Sequence, residues 1–162
     1  MTAPPGPDAS CRAAAIRWPL PLLRPKDGGS CVLALISDIH SNVSALEAVL
    51  EDLRNQGAET VYCLGDVVGY GPHPGECLDL AMQFDLCLMG NHDAALVEEI
   101  DLSVFNDEAR RAVEIQRGLL NEAELAYLRG LPKTAQVDGI CMAHGSPRNP
   151  IWEYIMNFRT AE

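Results

Sequence analysis

The regular pattern of apolar and polar positions begins at Cys31. Residues 31–37, Cys-Val-Leu-Ala-Leu-Ile-Ser, form a short apolar run and predict a buried strand. The run breaks at Asp38-Ile39-His40-Ser41-Asn42. Val43, Leu46, Val49, Leu50 and Leu53 then recur at helical spacing, which predicts an amphipathic helix over 43–55. Ser41 or Asn42 suits its N-cap, and Gly57 suits its end. Thr60 to Leu64 predicts a second strand, followed by a Gly- and Pro-rich loop over 65–75. A helix over 75–83 and a third strand over 85–89 come next. Residues 106–117 predict a helix ended by Gly118. Asn121 and Glu124 form a capping pair for another, which ends at Gly130 with Pro132 beyond. A further strand lies within 134–143, with Asp138-Gly139 as a turn. The repeated order of strand, polar loop and helix predicts an α/β fold, with helices packed on a largely parallel sheet.

The first thirty residues differ. They hold six of the eleven prolines. Residues 1–30 are therefore expected to be a disordered tail or an over-extended start, and 31–162 the domain. Arg17, Pro19 and Pro21 interrupt any apolar core that a secretory signal would need.

Charge narrows the class. Lys plus Arg is 12 and Asp plus Glu is 23, a net charge of −11. That excludes non-specific binding to a nucleic-acid duplex or an anionic membrane, both of which require a basic face. It permits an anionic substrate if bound metal supplies positive charge. No apolar run approaches the ~18 residues of a spanning helix. The six cysteines form no C-x-x-C. They read as small buried hydrophobes in a reducing cytoplasm.

The candidate chemistry lies at the strand ends. Asp38-x-His40 follows the first predicted strand, Gly65-Asp66 the second, Gly90-Asn91-His92-Asp93 the third, and His144 a later one. Loops after the carboxyl ends of parallel strands converge on one crevice. Oxygen and imidazole donors without thiolates suit a divalent metal such as Mn, Fe, Zn, Co or Ni. Residues two apart on extended chain point to the same side, so Asp38 and His40 can serve one ion. Glycines before Asp66 and Asn91 allow close backbone approach. A shared carboxylate such as Asp66 can bridge two metals.

These motifs resemble the calcineurin-like metallophosphoesterase superfamily. The matching stretches are Ile36-Ser37-Asp38-Ile39-His40-Ser41-Asn42, Gly65-Asp66-Val67-Val68-Gly69-Tyr70-Gly71-Pro72, Gly90-Asn91-His92-Asp93 and His144-Gly145-Ser146-Pro147. With Arg148, they look most like the small bacterial phosphodiesterases and diadenosine-tetraphosphatase-like members. The resemblance implies a four-layer α-β-β-α sandwich with mixed sheets. It implies that Asp38, His40 and Asp66 hold one metal, that Asp66 bridges, and that Asn91 and His144 serve the second. Manganese is the favoured ion of the pair. A bridging hydroxide would attack phosphorus. His92 would act as general acid or transition-state stabiliser, and Asp93 would orient it. The implied partner is a phosphorylated small molecule or nucleotide.

The family closes its metal site with Gly-His-x-His, and no histidine follows His144 here. The second sheet is therefore expected to be incomplete at the C-terminus, leaving an edge that invites pairing with another copy of the chain. The alternative to an enzyme is a truncated, inactive or scaffold form of the same fold. Arg148 is a substrate-binding candidate, with a surface arginine as its plain reading. Tyr70 reads equally as a substrate contact or part of a rigid turn. His73 reads as a surface residue, and Trp152, Tyr154 and Phe158 as packing.

Overall fold

The computed structural model describes residues 32–161. The expected tail, with Cys11 and Cys31, lies outside the described residues. Strands β1 (Val32–Ile36), β2 (Ala58–Cys63) and β3 (Leu86–Cys87) pair in parallel, with β2 in the middle. Side chains alternate across a strand. Ala34 sits beside Val61 and Ile36 beside Cys63 on the buried face. Leu33 and Leu35 point the other way and are exposed, so the strand expected to be buried is buried on one face only.

Parallel strands require crossovers. Helix α1 (Val43–Asn55) joins β1 to β2, and α2 (Pro74–Ala81) joins β2 to β3. The Asn42 side-chain oxygen accepts from the Ala45 N–H at 3.1 Å to cap α1, which buries Leu46 and Leu50. Pro74 opens α2, where its missing N–H costs nothing. The third strand is shorter than predicted. Leu88 N still donates to Cys63 O, but Met89 N turns away to Pro132 O, each at 2.9 Å.

One helix carried no signal in the pattern. Helix α3 (Asn91–Leu96) is buried on every side, so it shows no amphipathic stripe. It packs against α4 (Asp107–Arg117) and α5 (Glu122–Arg129). Asn106 caps α4, and the Asn121/Glu124 box caps α5 as expected. Arg117, in the last turn of α4, donates to the carbonyls of Ala95 at 2.8 Å and Leu96 at 3.0 Å, which closes the end of α3.

Strands β4 (Thr134–Val137) and β5 (Ile140–Ala143) form an antiparallel hairpin. Its turn has φ of 50° at Asp138 and 80° at Gly139, the left-handed pair a tight hairpin demands. Parallel and antiparallel sheets with covering helices give the expected α/β class.

Three expectations of burial need correction. Cys63, Cys77 and Cys87 are buried, but Cys141 lies on the solvent side of the two-stranded hairpin. Trp152 packs against Phe105 with ring centroids 5.1 Å apart. Tyr154 and Phe158 do not pack; they are 63% and 90% exposed. Among the described residues no helix is long and apolar enough to cross a membrane.

Candidate metal centre

The loops after β1, β2 and β3 and the end of β5 meet at one place. Backbone bonds join the first two. Asp38 N donates to Gly65 O and His40 N to Asp66 O, each at 3.0 Å, and Ser41 N to Val67 O at 2.9 Å. To make this fit, Asp38, His40, Ser41, Asp66 and Tyr70 adopt φ between 48° and 56°. Residues with a Cβ rarely take that conformation, and it clusters at functional sites. The β3 loop enters closest. A Cβ on Gly90 would strike the Asp66 carboxylate and backbone, so only glycine fits there.

Two carboxylates brace these loops in opposite directions. Asp66 Oδ1 accepts from His92 N at 2.9 Å. Asp93 accepts from Asp66 N at 2.7 Å, Gly90 N at 2.9 Å and Val68 N at 3.2 Å. Asp93 is fully buried, and burial pushes its acid up while the three N–H donors pull it back. Its hydrogen bonds run to the backbone. Both Asp93 oxygens are occupied by backbone, and His92 Nδ1 is buried without a hydrogen-bond partner. Asp93 holds the loop that carries Asp66 and gives the imidazole no bond at Nδ1.

The remaining donors surround Asp66. Its Oδ2 lies 3.8 Å from His40 Nε2 and 3.6 Å from His144 Nε2. His40 Nε2 is 3.6 Å from Asp38 Oδ1. Asn91 Oδ1 is 3.1 Å from His144 Nε2. Val68 O lies 3.2 Å from His40 Nδ1, so a proton there leaves the Nε2 lone pair facing the carboxylates. Asp38, Asp66 and His144 offer ligand atoms within 4.8 Å of one another, and so do His40, Asp66 and His92. Asp66 is common to both groups.

The electrostatics fit a cation. Burial first, then the Asp93 carboxylate, pushes the Asp66 acid up to about 8. Among the described residues its ion pairs are with imidazoles alone. His144 Nδ1, like His92 Nδ1, is buried with no partner. Such groups are costly to assemble unless something positive joins them. Burial, then the neighbouring His40 and His144, lowers His92 to about 4.

Arg148 is tied elsewhere. Its guanidinium pairs with Glu153 at 3.0 Å, and Glu153 also accepts from the Ser146 hydroxyl. His73 is half-exposed beside Glu76.

A model of the calcineurin-like phosphoesterase family matches residues 32–161. The chain belongs to that family. It is 38% identical over 130 residues to "uncharacterized protein MJ0912" of Methanocaldococcus jannaschii, covering 76% of this chain and 54% of that one. The crystal structure of a metallophosphoesterase from Sphaerobacter thermophilus aligns with a TM-score of 0.71 at 41% identity, over 82% of this chain and 54% of that chain. Hypothetical protein PH1004 of Pyrococcus horikoshii OT3, at 23% identity, shares the fold with a TM-score of 0.63, over 78% of this chain and 60% of that one. The chain thus spans about half the length of the first two relatives.

One residue of this family member escaped the sequence reading. Gln116 is 2% exposed on α4 and bonds the Gly69-Tyr70-Gly71 loop through both ends of its amide. The signal was present: Ala109, Val113 and Gln116 share the buried stripe of α4, and a polar residue on such a stripe requires a partner.

Proposed function

We propose that this site hydrolyses phosphoesters with two divalent cations, manganese being the favoured ion. The single observation that carries the reading is the buried Asp66 carboxylate, which has His40 on one side at 3.8 Å and His144 on the other at 3.6 Å. By the family resemblance, and with His40 Nε2 3.6 Å from Asp38 Oδ1 and His144 Nε2 3.1 Å from Asn91 Oδ1, Asp38 and His40 would serve one ion and Asn91 and His144 the other, with Asp66 between them. When bound, the ions would supply positive charge to phosphoryl oxygens and acidify a water.

The chain's own residues do the rest. Asp66 is held in place by the His92 N–H, and its loop by Asp93. With its acid lowered to about 4, the His92 ring is neutral at pH 7. A neutral imidazole has one N–H to offer a phosphoryl oxygen. As a neutral ring, His92 would stabilise charge developing on that oxygen through this hydrogen bond. The substrate class is a phosphorylated small molecule or a nucleotide.

The test is hydrolysis of bis(p-nitrophenyl) phosphate by the full chain with manganese, beside His92→Ala. His92→Ala is expected to lower turnover about 100-fold or more while manganese binding, read by calorimetry, stays unchanged. Equal rates would remove His92 from the mechanism. A folded, manganese-loaded chain without hydrolysis would overturn the reading.

A further inference from the structure

Packing does not explain Tyr70. The residue is 47% exposed and belongs to no core cluster. Its backbone sits at φ 53°, a conformation unfavourable for a residue with a Cβ. Even so, the loop is held from both sides. Gln116 Oε1 accepts from Gly69 N at 2.7 Å, and Gln116 Nε2 donates to Gly71 O at 2.5 Å. Gly71 N also donates to His40 O at 3.0 Å. The His92 ring lies directly on Gly69, where a Cβ would strike it. A buried polar side chain thus fixes an exposed aromatic one.

The result is a ring standing against the metal centre. Tyr70 meets His40 edge-on at 4.9 Å and His92 at 4.7 Å between ring centroids. A second aromatic residue is close by. Tyr154 lines a cavity of about 150 Å³ that begins at His144 and includes Trp152 and Ile155. The residues lining this cavity include no lysine or arginine. Recognition here would come from apolar faces rather than from added positive charge.

We infer that Tyr70 is a specificity-determining residue, a stacking wall selecting phosphoesters that carry a flat aromatic group, such as a nucleobase, close to phosphorus. This rests on the phosphoester reading of the site. Nucleobases stack on tyrosine whatever their hydrogen-bonding edge, because each has a π-face.

Calorimetry on the full, manganese-loaded chain tests it, with adenosine 5′-monophosphate, ribose 5-phosphate and inorganic phosphate as probes. Ribose 5-phosphate keeps the charge and the sugar but lacks the base. The wild type is expected to bind the nucleotide about fivefold or more tighter than ribose 5-phosphate. Tyr70→Phe keeps that ratio. Tyr70→Ala and Tyr70→Asn reduce it to about one while phosphate binding persists. Asparagine tolerates positive φ, so Tyr70→Asn separates loss of the ring from strain in the loop. A wild-type ratio near one, or an unchanged ratio in Tyr70→Asn, overturns the assignment of Tyr70 alone. A chain that binds none of the three probes overturns the phosphoester reading together with it.

Discussion

The loops around Asp66 and the helices α4 and α5 both bury polar groups, but they satisfy them differently. In α4 and α5 each N-terminus is closed by a side chain from its own segment: Asn106 on Ala109, and Asn121 with Glu124 on each other's backbone. The partners are two or three residues apart, and the backbone stays in ordinary regions. Around Asp66 the chain takes left-handed φ at five residues with side chains. Most partners there lie 25 to 28 residues apart, and Asn91 and His144 lie 53 apart. Ser41 Oγ, His92 Nδ1 and His144 Nδ1 remain buried without partners. The helix ends are closed locally, although on α4 Arg110 Nε is also buried without a partner and Gln116 reaches across to the Tyr70 loop. What sets the loops apart is left-handed strain together with bare imidazoles, a combination that clusters at functional sites.

Replacing Asp66 should break this contrast most strongly. Asp66→Asn keeps an oxygen for the His92 N–H but removes the charge between the two donor groups. Manganese affinity should fall by about 100-fold or more, read by calorimetry. Above pH 8, where Asp66 is ionised, the metal-free variant should melt no lower than the wild type, because a costly buried carboxylate has gone. In the wild type, manganese affinity should rise with pH and level off near 8. There Asp66 gives up the proton that competes with the metal. A metal-free Asp66→Asn protein that melts well below wild type would mean the carboxylate holds the fold as well as the site.

Asp93 is the counterpart, a carboxylate serving structure. Asp93→Ala leaves three backbone N–H groups without an acceptor. It should cost about 3–5 kcal/mol in urea unfolding. A cost below about 1 kcal/mol would show that the Asp66 loop stands without it.

The helical side should respond least. Asn121→Ala removes one cap and should cost about 1 kcal/mol, with manganese affinity unchanged. A change in affinity would mean the two regions are coupled more tightly than their separate hydrogen bonds indicate.

Much of this was legible beforehand. The spacing of Leu46, Leu50 and Leu53 located α1, and Asp138-Gly139 located the hairpin turn. The four motifs fell at strand ends, and the structure brings Asp38, His40, Asp66, Asn91, His92 and His144 together. Helix α3 was missed because a segment buried all round has no stripe. The exposure of Cys141 and Tyr154 was missed because an apolar residue type says nothing about what faces it.

The sequence by itself determined every strand, the amphipathic helices with their caps and the strand ends that carry the donors, because periodicity and capping act within a few residues. Only the tertiary structure decided that Asp93 braces the Asp66 loop, and that Gln116 grips the Tyr70 loop from 45 to 47 residues away. A side-chain hydrogen bond is satisfied by whatever atom lies within about 3 Å, and which atom that is depends on how distant segments pack.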